Sequence, residues 1–239
     1  MQWIRLLTNC NENMEGIVAI SRTVTIQMIH PTRTLLTAAF SLLSAITAQA
    51  GPTPITAPKV ITEPGSYVLA NDITGTTAGN VIEIQASDVT LNLNGHTITA
   101  TVATGISIDE FVGNNTGNAT LVNAHVSNGK VVAAGLGVQI SGSSCLINGL
   151  NITSGPSGTS IEIEHGNLNR VQSCVLSAAT GQTAGSAVGL FLTSHNTIQN
   201  NTFAGIYVIT IEELDQAGTH LTVVGDNTFS GNHFASPTP

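Results

Sequence analysis

Ile147-Asn-Gly-Leu-Asn-Ile152, Val171-Gln-Ser-Cys-Val-Leu176 and Ile198-Gln-Asn-Asn-Thr-Phe203 share one plan. A large apolar residue is followed by four residues rich in Asn, Gly and Ser, then by another large apolar residue. The same plan can be read in Leu93-Asn-Gly-His-Thr-Ile98, Val126-Ser-Asn-Gly-Lys-Val131 and Val224-Gly-Asp-Asn-Thr-Phe229. Successive copies begin between 21 and 33 positions apart. A fixed internal spacing on such a period is the mark of stacked repeats.

A second series runs upstream of the first. Short alternating segments end at Ile84, Ile108, Ile140, Ile163, Leu192 and Ile211. Alternation puts one face of each segment in a core and the other in solvent. Asn, Gly, Ser and Asp between segments tolerate the left-handed backbone of tight bends. One unit of about two dozen residues cannot bury its apolar face alone, but stacked units share a continuous core. The repeats therefore predict an all-β solenoid. Counting an entry segment from Ile61 to Ile73, with a turn at Pro64-Gly65 and with Tyr67, Leu69 and Ile73 inward, there are about seven coils. Layers about 4.8 Å apart let equivalent side chains hydrogen-bond in ladders. Asn94, Ser127, Asn148, Gln172 and Gln199 are the expected ladder.

The rest of the composition agrees. Only 8% of the 239 residues are charged, against 41% hydrophobic. Soluble domains average about a quarter charged. A helical protein would need more Glu, Lys and Arg on its wet faces, and a disordered one fewer Val, Ile and Leu. Six Lys and Arg in a chain of net charge −8 neutralise few phosphates, which argues against nucleic acid as a partner.

Three segments are expected. Residues 1–27 look like a non-native upstream extension. Residues 28–50 have the layout of a signal peptide: His30 and Arg33, an apolar run from Leu35 to Ala48, then Ala48-Gln49-Ala50. Residues 51–239 form the β domain, predicted to be secreted or periplasmic with no transmembrane segment after cleavage. Cys10 leaves with the presequence. Cys145 and Cys174 could pair in an oxidising compartment, but they fall in different repeat columns, so two buried free thiols are expected over a bridge.

Pro64-Gly-Ser-Tyr-Val-Leu69 and Val89-Thr-Leu-Asn-Leu-Asn-Gly-His-Thr-Ile98 resemble the opening of right-handed parallel β-helix proteins of the pectin-lyase-like superfamily. The resemblance covers nearly all of residues 51–239 and implies a right-handed parallel β-helix. For function it implies only a range, from polysaccharide lyases and glycoside hydrolases to adhesins and binding modules. Lyases of this kind use calcium-binding acids with a basic residue. Lys130 and Arg170 belong to the other strand series, away from the acids described below. The polygalacturonase acid cluster with its Arg-Ile-Lys run has no counterpart, so no catalytic residue is carried over.

Flanking the buried anchors of the second series are Glu83 and Gln85, Ser107 and Asp109, Gln139 and Ser141, Glu162 and Glu164, Phe191 and Thr193, and Thr210 and Glu212. Each pair shares the outer face. Glu83, Asp109, Glu162, Glu164 and Glu212 thus form an acidic stripe without Lys or Arg, the candidate ligand-binding face. Glu162 and Glu164 are the candidate catalytic pair, about 6.5–7 Å apart along a strand, near the separation used by inverting glycosidases. Loops 111–118 and 212–220 would wall the stripe. Phe191 and Tyr207 are the aromatics near it. His165 and His195, beside Glu164, are the weak case for a metal site, and no cofactor is expected. The leading expectation is a non-catalytic β-helix that contacts a polysaccharide or cell-surface glycan, and the alternative is a polysaccharide-active enzyme. Ice binding would need a regular Thr row, which the repeat does not supply.

Overall fold

The computed structural model describes residues 51–109, 121–178, 186–204, 208–212 and 226–235. Residues 1–50, loops 111–118 and 213–220, Tyr207, Val224 and the tail from Ser236 lie outside them. The described residues are all β, with no helix and with every strand pair parallel. Each strand pairs with one about a repeat further along the chain, which is why the spacing of the apolar anchors carries the fold.

Seven strands form one sheet: Lys59–Ile61, Ile82–Ile84, Ile106–Ile108, Val138–Ile140, Ile161–Glu164, Ser186–Phe191 and Val208–Glu212. Ile84, Ile108, Ile140, Ile163, Leu190 and Ile211 stand in register along it. The fifth anchor is therefore Leu190, not Leu192. Leu192 turns the corner with a left-handed backbone (φ 50°). Leu190 and Leu192 have the same parity, and a shift of two residues keeps the same face inward, so alternation cannot separate them.

The thirteen remaining strands form a second sheet that bends at a corner. His125–Ala133 and Leu146–Ser154 run through the bend. Elsewhere it is split between shorter strands, such as Arg170–Gln172 and Val175–Ala178. Before the bend, Leu91, Val126, Ile147, Val171, Ile198 and Phe229 stack in register. After it, Ile98, Val131, Ile152, Leu176, Phe203 and Phe234 do. The buried members of these columns and of the Ile84 column form one cluster, which also takes in Tyr67, Leu69 and Ile73 and against which Phe229 packs.

Two frames of the expected repeat shift. Leu91, not Leu93, pairs with Val126. Leu93 is fully buried nonetheless, filling the corner where its N–H bonds Ser127 O at 2.8 Å. The last copy begins at Phe229, five residues beyond Val224. Val224-Gly-Asp-Asn-Thr-Phe229 and Phe229-Ser-Gly-Asn-His-Phe234 both satisfy the pattern, and they share Phe229.

The bend is a line of left-handed residues, Asn128, Gly149, Ser173, Asn200 and Gly231, with φ between 55° and 64°. Asn and Gly meet this demand at little steric cost.

Inside the corners lie two ladders of buried amides. At the first, Cys145 N–H donates to Asn169 Oδ1 (2.8 Å), Asn169 N–H to Asn196 Oδ1 (2.8 Å) and Asn196 N–H to Asn227 Oδ1 (2.9 Å). At the second, Cys174 N–H donates to Asn201 Oδ1 (2.9 Å) and Asn201 N–H to Asn232 Oδ1 (3.0 Å). The amide nitrogens reach back to carbonyls, Asn169 to Gly142 O and Asn201 to Val171 O, both at 3.0 Å. Corner N–H groups that no strand can pair are satisfied this way, layer by layer. Each ladder begins at a cysteine, whose sulfur takes the place of the amide oxygen. It faces the N–H of Ala124 in one case and of Leu150 in the other. Both thiols are free and buried, and burial pushes each up to about 11.

The outer ladder differs from expectation at one end. Gln172 Nε2 donates to Asn148 Oδ1 (3.4 Å) and Gln199 Nε2 to Gln172 Oε1 (3.0 Å). Asn92, not Asn94, pairs with Ser127. Asn94 is exposed on the left-handed turn (φ 52°), its N–H held by Asn92 Oδ1.

Candidate functional site

The seven-stranded sheet turns every second side chain outward. One outer row runs Glu83, Ser107, Gln139, Glu162 and Gly189, with Thr210 next by backbone register alone; Ser107 in this row is buried. In the other, Glu164, Phe191 and Glu212 follow one another, the last placed by backbone register. Asp109 and Ser141 continue this second row, each giving its N–H to the anchor carbonyl of the preceding layer, Ile84 O and Ile108 O.

The expected partner of Phe191 changes as a result. Gly189 and Phe191 flank Leu190 on the outer face, and Thr193 is buried instead. Its hydroxyl accepts the Asn196 amide at 2.8 Å.

The acids do not gather at one point. Glu83 lies three strands from Glu162, about 14 Å at the usual strand spacing, and Gln85 Nε2 donates to its Oε1 at 2.5 Å. Asp109 lies two strands from Glu164, about 10 Å. Glu162 and Glu164 do share one strand, half-buried, with Gln139 on the next. Gln139 Nε2 reaches Glu164 Oε2 at 3.5 Å, and His165 Nε2 stands 3.5 Å from Glu164 Oε1.

Burial raises the pKa of Glu162, and the neighbouring Glu164 charge adds to the rise. The folded state therefore holds this proton to higher pH than the unfolded chain does. Any stability linked to it is present in acid and is lost as pH climbs through the raised value. Glu162→Gln removes the penalty. The variant is expected to melt above the parent at pH 7, with the gap closing below pH ~4, where an unfolded Glu is itself protonated. Melting curves across that range check this, and a gap independent of pH would refute it.

Phe191 supplies the feature that composition hides. A Cβ placed on Gly189 would meet Phe191 Cε2 at 2.8 Å and Cζ at 3.4 Å. The ring thus folds back along its own strand over Gly189, whose register partner is Glu162. Only glycine leaves room for it. An aromatic ring, two carboxylates and an amide are brought onto adjoining strands.

The histidines separate. His165 and His195 occupy different left-handed corners, and His195 Nε2 stands 3.6 Å from Asp226 Oδ2. Among the described residues no three of His, Cys, Asp and Glu converge as metal ligands, and no helix is long and apolar enough to cross a membrane. On the other sheet, His125 Nε2 is buried without a hydrogen-bond partner, and burial lowers the pKa of this ring.

Sequence reasoning missed the Gly189–Phe191 packing and the inner amide ladders. The ladders had a signal: Asn stands two residues before the apolar anchor in Asn169-Arg-Val171, Asn196-Thr-Ile198, Asn201-Thr-Phe203, Asn227-Thr-Phe229 and Asn232-His-Phe234.

Compared with family models, with curated proteins and with solved structures, the chain has no match.

Proposed function

We propose that this chain is an exported right-handed parallel β-helix of about seven coils, of the pectin-lyase-like kind. Its role is to contact carbohydrate or cell-surface glycan through the outer face of the seven-stranded sheet, without chemistry on the ligand. The all-β parallel architecture and the signal-like layout of residues 28–50 support this reading. The observation that carries it is the Phe191 ring laid over Gly189 beside Glu162, Glu164 and Gln139. A flat aromatic face suits the C–H face of a sugar ring. The carboxylates and the amide beside it suit hydroxyls, which need oriented acceptors and donors.

The expected result is binding on a glycan array with no release of reducing ends. Phe191→Ala should weaken binding by about tenfold, in keeping with an aromatic contact of ~1–2 kcal/mol. A glycan bound equally by parent and Phe191→Ala would remove this face from the function.

One observation favours a second reading. Glu162 is the acid whose proton is held to higher pH, which is the condition for a general acid, and Glu164 stands two residues along the same strand, a rise of about 6.5–7 Å, near the separation used by inverting glycosidases. On this reading the protein hydrolyses a neutral polysaccharide, and Glu162→Gln abolishes the release of reducing ends. Activity that survives the double change to Gln would eliminate it.

A further inference from the structure

The face beside Phe191 is short of positive charge and of hydrogen-bond donors. Among the described residues no Lys or Arg stands in either outer row of the seven-stranded sheet. From residue 51 onward the chain has only Lys59, Lys130 and Arg170. Lys130 and Arg170 lie in strands of the other sheet. Lys59 opens the first strand at the parity of the inward Ile61, not of the outward Val60.

Glu162 feels this shortage most. It is half-buried, yet its carboxylate has neither a hydrogen bond nor an ion pair among the described residues. Glu164 meets Gln139 Nε2 and His165 Nε2, each at 3.5 Å, longer than an ordinary hydrogen bond. The amide donor of Gln139 is thus already turned to a carboxylate. A carboxylate drawn out of water without a partner is costly. Burial, and then the Glu164 charge, hold the pKa of Glu162 up, which is the mark of that cost.

The ring adds a separate preference. Phe191 lies over Gly189, the register partner of Glu162, and adjoining strands are about 4.8 Å apart. The face of an aromatic ring carries partial negative charge and attracts a cation within about 6 Å of its centre. A hydroxyl is drawn to the carboxylate alone, whereas an ammonium is drawn to both groups. The net charge of −8 steers a cationic ligand toward the molecule as a whole.

We infer that this face takes a sugar carrying a free, protonated amine, with the ammonium held between the Glu162 carboxylate and the face of Phe191. The inference rests on the reading of this face as a glycan contact and adds which glycan it takes. Acylation of the nitrogen removes the charge, so the N-acetylated form of the same sugar is passed over.

Calorimetry of the full chain at pH ~6, above the usual carboxylate range, tests this with three probes. They are a glucosamine oligomer, its N-acetylated counterpart and an oligolysine of the same charge. The glucosamine oligomer should bind at least about tenfold more tightly than either of the others, and added salt should weaken it. Glu162→Gln, already expected to leave the fold at least as stable, should cost about tenfold in that affinity, and so should Phe191→Ala. An N-acetylated oligomer that binds as well as the amine, and is lost in Phe191→Ala, overturns the inference while the glycan contact stands. Oligolysine bound as tightly as the sugar overturns it too, since charge alone then suffices. If neither sugar binds the inference falls, and capture of another glycan on the array keeps the wider reading in place.

Discussion

Asn196→Leu is expected to cost about 3–5 kcal/mol of folding stability, because each buried polar group left without a partner costs ~1–3 kcal/mol. The Asn196 side chain is held on every side. Its Oδ1 accepts the Asn169 N–H at 2.8 Å, and its Nδ2 faces Thr193 Oγ1 (2.8 Å), Asn227 Oδ1 (3.0 Å) and Gly166 O (3.3 Å). Leucine keeps the branched shape of the side chain, with methyl groups in place of the amide oxygen and nitrogen. It offers nothing to the Asn169 N–H, which lies at a corner where no strand can supply an acceptor. The loss would pass to neighbouring layers, since Asn169 in turn positions the Cys145 N–H. Chemical denaturation measures the effect. Gln172→Ala, in the half-buried outer ladder, is the comparison, with a cost under about 1 kcal/mol. Equal costs for the two would mean that the inner amides carry no special burden.

Gly137→Val is expected to cost about 3 kcal/mol or more, at the upper end of overpacking effects. Gly137 has no left-handed backbone, so the constraint is space. A Cβ there would run into the Ile152 side chain and the Ser160 carbonyl. Gly105 stands one layer earlier, where a Cβ would meet Val131 and lie 2.7 Å from the Gly137 carbonyl. Successive backbones approach closely along this corner, and the main chain on one side cannot yield. Gly51→Ala is the control, because nothing lies within 4 Å of its Cβ position. Denaturant midpoints of the two variants decide the point. A Gly137→Val protein as stable as the Gly51→Ala protein would show that the corner can open.

The repeat was legible because the apolar anchors are spaced by the layers they occupy. Ile147, Val171 and Ile198 align as their spacing predicts. What the spacing could not fix is which of two apolar residues of equal parity holds the place. Leu91 against Leu93, and Leu190 against Leu192, are decided by where the chain turns left-handed, a property of the corner and not of the strand. The outer face was legible as a list of alternating residues, and Glu162 and Glu164 do share a strand. The ring of Phe191 over Gly189 was not legible, because it depends on a side chain lying along its strand instead of standing away from it. The buried amides were hidden by their composition. Asn between apolar segments looks like a solvated turn until the next layer is laid against it.

The cysteines at the heads of the amide ladders have a consequence for how the protein comes apart. Each sulfur is sealed in and bound to the layer before it, so a maleimide can reach it only when those layers separate. Labelling of Cys145 reports separation from the layer of Ala124, and labelling of Cys174 reports separation from the layer of Leu150. The chain thus carries two native clocks of local opening, one at each corner.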